Sequence, residues 1–114
     1  MQSRLTIYVH DHAGGETYPV ATLAEAISDA EKHLVEYRKD AAEGWGLDEG
    51  DLSIYLSDDP DDVTEGTCLA FNKEVNRQWT DEDGNPLPGG FDYICDMAME
   101  LTDAGRAALA KEGK

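Results

Sequence analysis

Residues 22–44, TLAEAISDAEKHLVEYRKDAAEG, decide the fold. Thr22-Leu23-Ala24-Glu25 is a capping box: the Thr22 hydroxyl can accept from the amide three residues on, while Glu25 reaches back to the cap amide. Leu23, Ile27, Ala30, Leu34, Tyr37 and Ala41 follow at spacings of four and three, a single apolar stripe on a helix. Gly44 is a natural stop. The pattern predicts one long helix over about 23–43, whose stripe must bury against another layer.

On either side of this helix the period drops to two, the spacing of half-buried strands. Leu5, Ile7 and Val9 alternate with Thr6, Tyr8 and His10. The turn residues Asp11-His12-Ala13-Gly14-Gly15 follow, and Glu16 to Val20 return as the second arm of a hairpin. Pro19 cannot donate to a ladder, so that arm is expected to be an edge or to end there. Leu52, Ile54 and Leu56 alternate with Ser53, Tyr55 and Ser57, ending in the exposed loop Asp58-Asp59-Pro60-Asp61-Asp62. Leu69, Phe71, Val75 and Trp79 share odd positions around Asn72-Lys73-Glu74, one long or bulged strand from about Thr67 to Trp79. Thr80 to Gly90 is rich in turn residues. Phe91, Tyr93, Cys95, Met97, Met99 and Leu101 then form the inward side of a strand, with Asp92, Ile94, Asp96, Ala98 and Glu100 opposite. A one-residue slip would bury three carboxylates, so the register is firmly set. Thr102 caps a short helix from Asp103 to about Lys111. The order is ββαβββα: one α+β domain over 1–114, an antiparallel sheet of four to five strands with both helices on one face. The other face is expected to carry Tyr8, Tyr55, Asp92, Asp96 and Glu100.

The 114 residues hold 25 acids against 9 Lys and Arg, a formal charge of −16. That balance excludes a bare nucleic-acid binder, which needs clustered bases to displace counterions. An anionic membrane surface would also repel the chain. No apolar run approaches the ~20 residues of a membrane span, and the start lacks a signal-like apolar stretch. With two cysteines, Cys68 and Cys95, and no disulfide framework, the expected setting is a reducing cytoplasm.

No catalytic constellation or cofactor motif emerges, and the chain reads as non-enzymatic. His10-Asp11-His12 resembles the start of a metal site but lacks further ligands at a recognisable spacing. These two histidines read as surface residues, and His33 as a boundary residue beside the helical stripe. Cys95 reads as a small buried hydrophobe, and neither cysteine has a neighbour that would lower its pKa. Asp81-Glu82-Asp83-Gly84-Asn85 fails the EF-hand spacing, which would demand a ligand at Trp79. Leu101-Thr102-x-x-Gly105-Arg106 is similar over six residues to the exit from the wing in winged-helix regulators. The basic residues that such a fold uses on DNA are missing, and the stretch reads as a strand entering a helix cap.

The layout of charge says more than its sum. From Asp40 to Asn72 there is no Lys or Arg and there are ten acids; from Gln78 to Gly105 there is again no base and there are seven. On the helix, Glu25, Asp29, Glu36, Asp40 and Glu43 form an outer stripe, with Lys32 and His33 in its gap. Residues four apart on a helix rise about 6 Å, comparable with phosphate spacing along a nucleic-acid strand. Asp92, Asp96 and Glu100 stand about 13 Å apart on a strand. Such rows can enter a groove lined with Lys and Arg, with fast, salt-dependent association. In size, charge layout and lack of a catalytic motif the chain resembles small phage-encoded inhibitors of bacterial defence, the anti-restriction DNA mimics and anti-CRISPR proteins. The resemblance implies binding to a basic nucleic-acid groove of a host complex and exclusion of DNA from it. The expected partner-binding residues are Asp58, Asp59, Asp61 and Asp62 in the loop, Asp81, Glu82 and Asp83 in the turn, and Asp48, Glu49 and Asp51 before the third strand. Trp45 and Tyr55 are the expected aromatic anchors. Two other readings fit the same composition: an immunity or antitoxin-type protein covering a basic nuclease, and an acid-rich domain of a salt-adapted organism.

Overall fold

The computed structural model describes residues 5–39, 48–80, 83–85 and 94–112. Strands β1 (Thr6–Asp11), β2 (Glu16–Val20), β3 (Leu52–Ser57), β4 (Thr67–Gln78) and β5 (Ile94–Leu101) and helices α1 (Leu23–Lys39) and α2 (Asp103–Glu112) follow in the order ββαβββα. The five strands form one antiparallel sheet, β2-β1-β3-β4-β5, with the Pro19-bearing β2 at one edge. The expected helical positions 40–43 lie outside the described residues.

The α1 stripe packs as its spacing requires. Leu23, Ala26, Ala30 and Leu34 bury against Val9, Leu52, Ile54, Ala70 and Met97, and Ala108 and Leu109 of α2 close the same layer. At the start of α1 the Glu25 amide donates to Thr22 Oγ1 at 3.1 Å. The Leu23 and Ala24 amides donate to the Glu112 carboxylate at 2.5 and 3.1 Å. The end of α2 thereby places a negative charge on the positive end of α1, where the helix dipole favours it.

One expectation fails in β4. Ile54 faces Ala70 but Tyr55 faces Cys68, so Leu69 is an extra, bulged residue. Leu69 and Ala70 are both buried, and from Ala70 to Glu74 the even positions face the helices, until a second register shift between Val75 and Gln78. Phe71, opposite Ser53 and Glu100, falls on the open face with Lys73 and Val75, instead of sharing the core side with Leu69. Trp79 is exposed. Asn72 takes the inward position. It is fully buried, yet Oδ1 accepts from the amides of Gly50 and Leu52 at 2.9 and 3.0 Å, and Nδ2 donates to the Asp48 carbonyl and to Met97 Sδ, both at 3.0 Å. A buried amide with its groups satisfied fixes one geometry, whereas one left unpaired costs about 1–3 kcal/mol.

The bulge also seats α2. Thr102 donates from its amide to the Leu69 carbonyl at 2.9 Å and from Oγ1 to the Cys68 carbonyl at 2.7 Å, while Oγ1 accepts from the Gly105 amide at 3.0 Å. The helix comes so close that a Cβ on Gly105 would lie 1.9 Å from the Leu69 carbonyl oxygen. Gly105→Ala is therefore expected to lower stability by about 2–3 kcal/mol through overpacking. Urea unfolding followed by far-UV circular dichroism measures this; a midpoint equal to wild type would refute the close contact.

Candidate partner interface

β3 connects two groups of acids and holds them apart. At its C-terminal end Ser57 is buried, and its Oγ accepts from the Asp59 amide at 3.1 Å. Asp59 turns the chain: its Oδ1 accepts from the Asp61 amide at 2.9 Å and its carbonyl from the Asp62 amide at 3.2 Å. A short 3-10 turn, Val63–Glu65, presses the buried Val63 inward and ends at Gly66, where a Cβ would stand 2.3 Å from the Leu56 carbonyl oxygen. The loop is thus bound to the sheet at both ends. Asp58, Asp59, Asp62 and Glu65 surround a groove of about 330 Å³ with Leu5 and Leu56 in its wall.

At the N-terminal end of β3 the acids serve the backbone. Asp51 Oδ2 accepts from the Asp48 amide at 2.8 Å, and Glu49 Oε2 accepts from the Glu74 amide at 2.9 Å, fastening this loop to β4. Asp83 is exposed in the connection between β4 and β5. Asp81, Glu82 and Trp45 lie outside the described residues. Tyr55 stands mid-strand on the open face, half-buried opposite Tyr8, with burial the main cause of its raised pKa. The expected site residues are therefore divided between the two ends of β3, and Tyr55 belongs to neither group.

Counter-ions separate the acids further. Asp29 lies 3.9 Å from Lys32 and Glu36 3.1 Å from Lys39 on α1, while Glu25 is exposed in its first turn. Asp40 and Glu43 lie outside the described residues. The strand acids expected on the open face are also neutralised: Asp96 is 3.0 Å from Arg38 and Glu100 3.2 Å from Lys73, and Asp92 is outside the described residues. Burial would raise the Asp96 pKa, but hydrogen bonds from Arg38 and the Met97 amide, with the Arg38 charge, hold it below the ordinary value. The middle of that face is aromatic, with Tyr8 only 8% exposed. By contrast, among the described residues none of Asp58, Asp59, Asp61, Asp62 and Glu65 forms a salt bridge.

The structure also assembles a cluster that the sequence reading missed. His10 is half-buried beside Thr17 Oγ1 at 2.8 Å, and His12 is exposed, but Asp11 between them points inward and is 3% exposed. Tyr37 Oη donates to its two oxygens at 3.1 and 3.0 Å, and the Gly14 amide donates at 2.9 Å. His33 Nδ1 lies 3.4 Å from Asp11, and His33 Nε2 3.1 Å from Tyr18 Oη. The signal was present: Asp11 continues the odd-numbered inward series of Ile7 and Val9. Burial pushes both cysteine thiols up, Cys95 to about 11 with help from Glu74. Among the described residues no group of three or more His, Cys, Asp and Glu could hold a metal, and no helix is long and apolar enough to cross a membrane. Comparison with family models, curated proteins and solved structures finds no match to this chain.

Burial, together with the Asp11 hydrogen bond and charge, pushes the Tyr37 pKa up from 10.0 to about 12. The folded state thus prefers the neutral phenol, and this contribution is full below pH 10 and lost as pH rises toward 12. Wild type is expected to exceed Tyr37→Phe by about 1.5–3 kcal/mol near neutrality, the range for a hydrogen bond to a charged group. Urea midpoints across alkaline pH should show the gap closing; a constant gap would contradict the Tyr37–Asp11 coupling.

Proposed function

We propose that this chain is a non-enzymatic inhibitor that binds a basic nucleic-acid-binding surface of a host defence complex and excludes DNA from it, in the manner of anti-CRISPR and anti-restriction inhibitors. One observation carries the reading: the acids of α1, β4 and β5 largely have cationic partners, while the five at the C-terminal end of β3 have none among the described residues. Concentrated like charge repels itself and lowers stability, so a tightly bound loop that holds it in place favours a use for it. Association would be steered at long range and weakened by salt. Leu5, 61% exposed beside the acids, supplies apolar surface for the stems of partner Lys and Arg side chains.

The test uses three substitutions that spare Asp59, whose carboxylate holds the turn. Wild type immobilised in a bacterial lysate is expected to retain a nucleic-acid-binding complex that short duplex DNA displaces. The folded triple variant Asp58→Lys, Asp61→Lys, Asp62→Lys should retain none of it. Equal capture by the variant, or capture that DNA leaves untouched, would overturn the reading. Unfolding of the wild type at low ionic strength with rescue by molar salt would point instead to salt adaptation.

A further inference from the structure

β5 is the last strand of the sheet, and among the described residues no strand pairs with its outer side. An open edge is a template for another chain, and folded proteins protect it. Here the protection is a side-chain clamp at the strand's midpoint. The Met97 amide donates to Asp96 Oδ1 at 2.8 Å, and the Met97 carbonyl accepts from Arg38 Nη2 at 3.2 Å. Arg38 Nε donates to the same Asp96 oxygen at 3.0 Å, closing the ring. Residues of an antiparallel ladder alternate between pairs that exchange both backbone bonds and pairs whose bonds point away. Both Met97 groups are held from outside the ladder, at the position an added strand would occupy.

We propose that the Arg38–Asp96 clamp closes the β5 edge to strand addition, and that the strand it excludes is β5 of a second copy of this chain, running antiparallel. Pairing centred on Met97 of each copy would set Asp96 opposite Ala98 and Glu100 opposite Ile94. No carboxylate then faces another, which suits a second copy in spite of the −16 charge each one carries.

Sedimentation equilibrium of the full chain, in enough salt to screen the overall repulsion, tests this. Wild type should remain monomeric, and Arg38→Met should self-associate at least about tenfold more tightly. Adding Ala98→Asp should restore the monomer, because it sets carboxylate against carboxylate at two places in the paired strands. Asp96→Ala removes the oxygen that both donors share, opens the clamp from its other side and should behave as Arg38→Met does, should that variant fail to fold. In the wild type the Met97 amide should exchange slowly with solvent although it lies at an edge. Monomeric folded variants, association that Ala98→Asp leaves intact, or a rapidly exchanging Met97 amide would each overturn the proposal.

Discussion

The side chain of Asn72 sets the frame on which the remaining geometry depends. It receives the amides of Gly50 and Leu52 and so determines where β3 begins. β3 runs for six residues and ends at Ser57, where the Asp58–Asp62 loop begins. The same amide donates to Met97 of β5, so the strand that carries the edge clamp is tied to the start of β3. Buried polar groups weaken a fold when half-satisfied and specify it when fully satisfied. Asn72 is of the second kind: an apolar residue there would take the side-chain acceptor from the buried Leu52 amide and leave Gly50 only the backbone carbonyl of residue 72.

Around that frame the scarce cations are distributed unevenly. With 9 Lys and Arg for 25 acids, most carboxylates cannot have a partner. Lys32 and Lys39 stay on α1, Arg38 reaches the β5 edge, and Lys73 crosses to Glu100. Exposed pairs of this kind contribute only about 0–1 kcal/mol each, so their effect lies in where they leave charge uncompensated. Among the described residues, five such acids lie together at the C-terminal end of β3. The loop there is shaped by its own backbone, by Asp59 and by two close contacts to the sheet, and needs no counter-ion to hold its form.

Much of this was legible in the residues. The helical stripe from Leu23 to Tyr37, the period-two strands and the Thr102 cap are local patterns, and local patterns set elements well. Parity in β4 was not legible, because one bulged residue at Leu69 exchanges the faces of the residues up to Val75, a second shift follows before Gln78, and bulges leave little trace in a period-two pattern. The polar residues suffered most. Asn72 read as an interruption and proved to be a core member, while His33 and Asp11, 22 positions apart, meet only once α1 crosses the sheet. Charge spacing along one element likewise could not show that Arg38 and Lys73 would neutralise the strand acids, since those cations come from other elements.

Under the proposed function, the acids at the C-terminal end of β3, not those on α1 or before β3, meet the basic partner. A nitrogen–proton NMR titration of the wild-type chain with an arginine-rich peptide tests it most directly. The account predicts the largest shifts at the amides from Asp58 to Thr67, diminishing as salt is raised. Shifts centred on α1 or on Asp48 to Asp51, or shifts that salt does not reduce, would contradict it.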